Sequence, residues 1–100
     1  MIESGSLVIV ALMDPKEQYW GRLVSLSAVG VQLRGLVMNS VIDWARDIQR
    51  SQGEGSMAPI TIFFPLSRVE KIFLDEDAGI VPSVSRQVIE LVGERFESLL

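Results

Sequence analysis

The stretch from Trp20 to Leu33 constrains this chain more than any other. It reads Trp20-Gly21-Arg22-Leu23-Val24-Ser25-Leu26-Ser27-Ala28-Val29-Gly30-Val31-Gln32-Leu33. Two β-rich runs flank a turn of small residues, with Gly30 close behind it, which is the pattern of a hairpin. One strand is expected over Tyr19–Ser27 and the next over Val29–Val37. Gly21 predicts a bulge or sharp bend, because glycine relaxes the backbone and leaves room for a close neighbour. In the later strand Val29, Val31, Leu33 and Gly35 share one face, and Gln32 and Arg34 the other. Upstream, Leu7–Met13 is apolar on both alternating faces, so it reads as a strand buried on both sides or lying at a subunit contact. Asp14-Pro15-Lys16-Glu17-Gln18 is a polar turn between them. Short bent strands that meet at glycines are how a small barrel closes on itself.

The period then changes. Ser40 and Asp43 resemble a helix cap with an acidic first turn. Val41, Trp44, Ala45 and Ile48 follow at helical spacing, with Asp43, Arg46, Asp47 and Arg50 on the wet face. This predicts a helix over about 40–50 whose Trp44 plugs one end of the barrel. Ser51–Ser56 reads as a flexible loop. Pro59–Phe64 and Arg68–Leu74 are the fourth and fifth strands, joined so tightly at Pro65-Leu66-Ser67 that a single 3₁₀ turn is expected. Asp75-Glu76-Asp77 ends the sheet. Pro82 and Ser83 open a last helix running to about Leu99. Its main apolar stripe is Val84, Val88, Leu91, Val92 and Leu99, widened by Ile89, Phe96 and Leu100, and Gly93 weakens it slightly.

The 100 residues are expected to form one domain with one modest core. The chain has no His and no Cys, which removes Ser-His-Asp chemistry, thiolate nucleophiles, disulfides and His-ligated zinc together. The carboxylates Asp75, Glu76 and Asp77 read as a charged strand end more than a cation site. Asp43 with Asp47 has no nucleophile or base beside it, and Ser25 and Ser27 have nothing to activate them. Gly53-Glu54-Gly55 lacks the Lys and Ser/Thr of a phosphate loop. The expectation is a protein that is not an enzyme and needs no metal or cofactor. The net charge is −4 and no two of the nine basic residues are adjacent, which argues against a general nucleic-acid surface. The longest fully apolar run, Leu7–Met13, is too short to span a bilayer, and no basic segment precedes it. A soluble, cytoplasmic protein with no membrane partner is expected.

Five short strands, a glycine in the second and a tight turn between the last two resemble the Sm/LSm/Hfq superfamily, with spacing most similar to the bacterial Hfq type. Gly21-Arg22-Leu23-Val24-Ser25-Leu26-Ser27 resembles the first Sm motif, and Leu33 falls where its later leucine belongs. Phe64-Pro65-Leu66-Ser67-Arg68-Val69 resembles the second Hfq motif, His-Ala-Ile-Ser-Thr-Val. The match covers residues 7–74. It implies a mainly β fold, a five-stranded, strongly bent Sm-like (SH3-type) barrel; the helix inserted between strands three and four, in the family's variable loop, and the C-terminal helix over 83–99, which follows the barrel rather than preceding it, are additions that suggest a specialised relative. The departures fall on the family's functional residues. Its motif Asp is Ser27 here, and the Tyr-Lys-His run of the uridine site aligns with Ile62-Phe63-Phe64.

The resemblance also implies assembly: Sm-like subunits pair the fourth strand of one with the fifth of the next and close a ring. The expected subunit contacts are Ile60, Ile62, Phe64, Val69, Ile72 and Leu74, in a cyclic homo-oligomer of five to seven subunits. Apolar strands like these would be hazardous as free edges, and cyclic pairing removes the edge. Two roles remain open. One is a non-catalytic binding or scaffold ring that presents its helices to another protein. The other is a single-stranded RNA binder using a non-standard site. For the second, Phe63 or Phe64 would stack a base, and Tyr19, Trp20, Arg22 and Arg68 are further candidate contacts. Packing is the competing role for each aromatic.

Overall fold

The computed structural model describes residues 1–51 and 57–100. Strands β1 (Leu7–Leu12), β2 (Glu17–Leu26) and β3 (Gly30–Val37) are followed by a 3₁₀ turn at Met38–Ser40 and helix α1 (Val41–Ser51). Then come β4 (Ile60–Pro65), a 3₁₀ turn at Leu66–Arg68, β5 (Val69–Leu74) and helix α2 (Val84–Val92). A 3₁₀ turn at Gly93–Arg95 leads into the short α3 (Phe96–Leu99). From residue 52 onward, the loop expected over 51–56 lies outside the described residues.

The fold is mainly β, with five antiparallel strands in one sheet and helices packed on it. Strand order is β4-β3-β2-β1-β5. The sheet is open: β4 pairs with β3 and β5 with β1, and no ladder joins β4 to β5 among the described residues. The closure expected of a small barrel is therefore not seen in the ladders. The tight turn between β4 and β5 is the 3₁₀ turn that their short connection demands.

β1 is buried on both faces, as its uninterrupted apolar sequence requires. Val8, Val10 and Leu12 lie in one cluster with Leu23, Val31, Leu33 and Phe64. Every one of these residues comes from a strand. Ile9, on the opposite face, joins Trp20 and Leu36 beneath Val41, Trp44, Ala45 and Ile48 of α1 and Val88, Val92 and Phe96 of the C-terminal segment. Trp44 is thus covered between the sheet and its helices, its ring 6.1 Å from that of Trp20. α1 packs against α2, so the two helices form one layer.

Two local expectations are corrected and one is extended. The ladder slips between Leu23 and Ser25, leaving Val24 out of register, and not at Gly21. Gly21 instead lies opposite Gly35. A Cβ on Gly21 would come within 2.7 Å of the Gly35 Cα, and one on Gly35 would overlap the Trp20 carbonyl oxygen. The two glycines let β2 and β3 approach more closely than any side chain permits. Second, Ser40 directly precedes α1 and Asp43 lies in its first turn, as expected, and the helix is entered through the Met38–Ser40 turn. Third, the last helix does not run unbroken to Leu99. Gly93 takes φ +66°, a left-handed conformation that favours glycine, and its N–H bonds the Ile89 carbonyl. The chain turns there and brings Phe96 back into the core at 4% exposure, while Ile89 stays 45% exposed. Phe96 is therefore a central packing residue and not a widening of the stripe.

Gly35→Ala is expected to destabilise the fold by about 1–3 kcal/mol, the usual cost of forcing an extra methyl into a closed space. Urea unfolding followed by tryptophan fluorescence checks this; an unchanged midpoint would mean that β2 and β3 do not need the close approach.

Candidate functional site

The two sheet edges are the surfaces that the fold leaves unpaired. β4 carries Ile60-Thr61-Ile62-Phe63-Phe64-Pro65, and its outer side faces no strand among the described residues. β5, Val69-Glu70-Lys71-Ile72-Phe73-Leu74, is the opposite edge. Strand alternation sends Ile62, Phe64, Ile72 and Leu74 toward the strand-only cluster, and the register shift between Ala11 and Leu12 brings Val69 to the same side. Phe64 is buried there, with its ring 4.9 Å from Tyr19, and the other four pack partly buried against it. Ile60, Phe63 and Phe73 stay 59%, 50% and 37% exposed. Of the expected subunit-contact residues, Ile60 is thus the most open, and Phe63 and Phe73 add exposed rings, one on each edge.

The candidate contact residues Tyr19, Trp20, Arg22, Phe63, Phe64 and Arg68 do not come together. Trp20 has no exposed surface, and its indole N–H donates to Asp75 Oδ2 at 2.8 Å. Tyr19 and Trp20 are adjacent on a strand and so face opposite sides of the sheet. The Arg22 guanidinium donates to the Gly5 carbonyl at 2.9 Å and to Glu97 at 3.3 Å. Arg68 straps the β1–β2 turn, donating to the carbonyls of Met13 and Pro15 and to Glu17. Neither Trp20 nor the buried Phe64 has a ring face free to take a base.

Phe63 is half exposed, its ring lying over Gly30, and the register shows what else lies beside it. It pairs with Gln32, which also faces Ser25 across β2. Arg34 is two residues along the same face, between Arg22 and Thr61. Arg34 makes no ion pair among the described residues, and its cross-strand neighbour Arg22 has the same charge. Such a pair is unfavourable unless an anion or an acid lies near; Glu97 serves Arg22 alone. The sequence placed Gln32 and Arg34 on the polar face of β3. It did not show that Phe63 adjoins them, because that depends on the β3–β4 register.

Asp75 and Asp77 serve the fold. Asp75 Oδ1 accepts from the Val84 N–H, and Oδ2 from Ser85 N–H as well as from Trp20. Asp77 Oδ1 accepts from Ser83 N–H, and its other oxygen pairs with Arg86 at 2.6 Å. Ser83 Oγ accepts from Arg86 N–H, completing the cap of α2. These carboxylates are taken up by the helix start, and no cluster of three potential metal ligands occurs among the described residues.

Two hollows remain. A polar one of about 530 Å³ has Lys16, Glu17, Gln18, Asn39, Glu70 and Lys71 in its wall, both charges in equal number. An apolar one of about 340 Å³ lies at the start of β4, lined by Tyr19, Leu36, Met57, Ala58, Ile60 and Ile62. No described helix is long and apolar enough to cross a membrane. Compared with known protein families, with curated proteins and with solved structures, the chain matches none.

Asp75→Ala is expected to lower stability by about 2–4 kcal/mol, combining a lost helix cap with a buried indole N–H left without a partner. Asp75→Asn, which keeps an acceptor, is expected to lose less. Urea unfolding of both variants tests this, and equal stability of Asp75→Ala and the parent would remove the carboxylate from the account of how α2 is held.

Proposed function

We propose that this chain is an Sm-like module that assembles with copies of itself into a ring of five to seven subunits and acts in the cytoplasm as a non-catalytic binding or scaffold unit. The observation that carries the proposal is the pair of apolar, partly exposed edges at opposite ends of one sheet. Such edges invite pairing with another chain. Because β4 and β5 are different surfaces, their pairing is head-to-tail, and it closes into a ring when the rotation fits. Two dimensions support a strongly bent, barrel-like sheet. Four interstrand spacings would set flat edges about 19 Å apart. Yet only the three-residue turn Leu66–Arg68, which advances about 2 Å per residue, connects β4 to β5. The register also sets Tyr19 opposite Val37 and Phe64 opposite Val31. On a flat sheet that offset is about 20 Å along the strands, whereas the rings are 4.9 Å apart.

Light scattering is expected to give a stable multiple of the 11.1 kDa chain, unmoved between low and high salt because apolar strand pairing is not screened. Phe73→Lys, which puts a charge on the β5 edge, is expected to return the mass to that of a folded monomer. A monomeric parent protein at both salts overturns the ring.

A second reading, a single-stranded RNA binder, is favoured by the face that carries Phe63, Gln32 and Arg34. Stacking on Phe63 would supply sequence-tolerant contact, and Arg34 a phosphate partner. Titration with oligo-U and oligo-A decides it. Salt-sensitive binding that Phe63→Ala weakens about 5- to 150-fold supports this reading; no binding at low salt eliminates it.

A further inference from the structure

The segment after β5 contains the most exposed apolar side chain of the described residues. Ala78 and Val81 exchange both backbone hydrogen bonds, each 2.9 Å, so Gly79 and Ile80 form the tip of a two-residue turn. Gly79 at φ +61° supplies the conformation that the turn needs. Ile80 is 100% exposed and Val81 60%. The base of this turn is held rigidly, because Asp75 and Asp77 on one side and Ser83 on the other are bonded into the start of α2. An apolar knob on a fixed support is set up for binding with little ordering cost.

The fitting hollow is on the other edge of the same molecule. It sits at the start of β4 and is walled by Tyr19, Leu36, Met57, Ala58, Ile60 and Ile62. At about 340 Å³ it has room for the side chains of Ile80 and Val81. The strand register brings the two together between copies. β4 and β5 are both six residues long. Every ladder of the sheet is antiparallel, the stronger arrangement per residue. Full-length antiparallel pairing of β4 with β5 of a second copy sets Ile60 opposite Leu74 of that copy. The chain leaving that Leu74 then passes over the start of β4, where the hollow opens. The hollow spans the β4 edge: Leu36 and Met57 belong to the helix side of the sheet, as does the Trp20 to which Asp75 anchors the turn, while Tyr19 and Ile62 belong to the strand-only side.

We infer that the Gly79-Ile80 turn of one copy inserts Ile80 into the Tyr19–Leu36–Met57–Ile60 hollow of the next, locking the β4–β5 contact. This inference rests on the ring proposed above and adds to it a second contact that fixes register and direction.

The chain has no cysteine, so introduced thiols report cleanly. Ile80→Cys and Met57→Cys variants are mixed and mildly oxidised, with Ile80→Cys plus Leu66→Cys as the comparison, since Leu66 lies beyond the far end of β4. The expected result is a covalent dimer from the first mixture and none from the second. A double variant carrying Ile80→Cys and Met57→Cys should give a ladder of covalent oligomers whose top rung counts the subunits. Ile80→Asp should raise the concentration at which the assembly dissociates about tenfold or more. An oligomer by light scattering that cross-links equally well through Leu66→Cys, or not at all through Met57→Cys, overturns the knob and leaves the ring standing. A monomeric parent overturns both.

Discussion

The burial of β1 on both faces is the constraint on which the rest of the structure depends. Val8 and Val10 are fully buried on one side, and Ile9 is 8% exposed on the other. A sheet whose inner strand is apolar on both sides needs two covers. Helices α1 and α2 with the Phe96 turn provide one, closing over Ile9, Trp20 and Leu36. The other is provided by the sheet itself, since the cluster around Val8, Val10, Val31 and Leu33 draws its buried members from strands alone. Among the described residues no further helix covers the second face, where strand residues pack with one another.

Two small features make those covers possible, by opposite physical means. Gly21 and Gly35 act through an absence of atoms: with no Cβ on either, β2 and β3 close to a distance that even alanine would forbid. Asp75 acts through charge and hydrogen bonding. One carboxylate at the end of β5 collects the indole N–H of Trp20 from the sheet and two backbone N–H groups from the first turn of α2. The helix start favours a negative charge there. The contact joins the apolar layer to the strand that precedes it, and it directs the Gly79-Ile80 turn outward. The acidic run at 75–77 thus belongs to the architecture before it belongs to any ligand.

What the fold leaves over is edge. β4 and β5 keep apolar side chains at the surface, and among the described residues their outer hydrogen-bonding sides have no strand beside them. The exposed Ile80 and the hollow beside Ile60 lie on these two different edges. Phe63, Gln32 and Arg34 have another chemistry, aromatic and cationic, on the same side of the sheet as Leu36 and the helices. The two surfaces meet at Phe63, which lies on the β4 edge.

The sequence by itself determined the strands, the inserted helix, the 3₁₀ turn at Leu66–Arg68 and the double burial of β1, because hydrophobic period and turn chemistry are local properties. It also marked Ser83 as the start of the last helix, where its side chain caps Arg86 N–H. The tertiary structure alone decided that Trp20 and Phe64 are packed inside while Phe63 stays out, that Gly21 meets Gly35 and the slip falls beside Val24, and that Asp75 holds α2. It alone set Phe63 beside Gln32 and broke the last helix so that Phe96 returns to the core. Each of these depends on which residue of one strand lies opposite which residue of another, or on where a helix lands. Register is fixed by burial summed over the whole sheet, and no single stretch of sequence contains that sum.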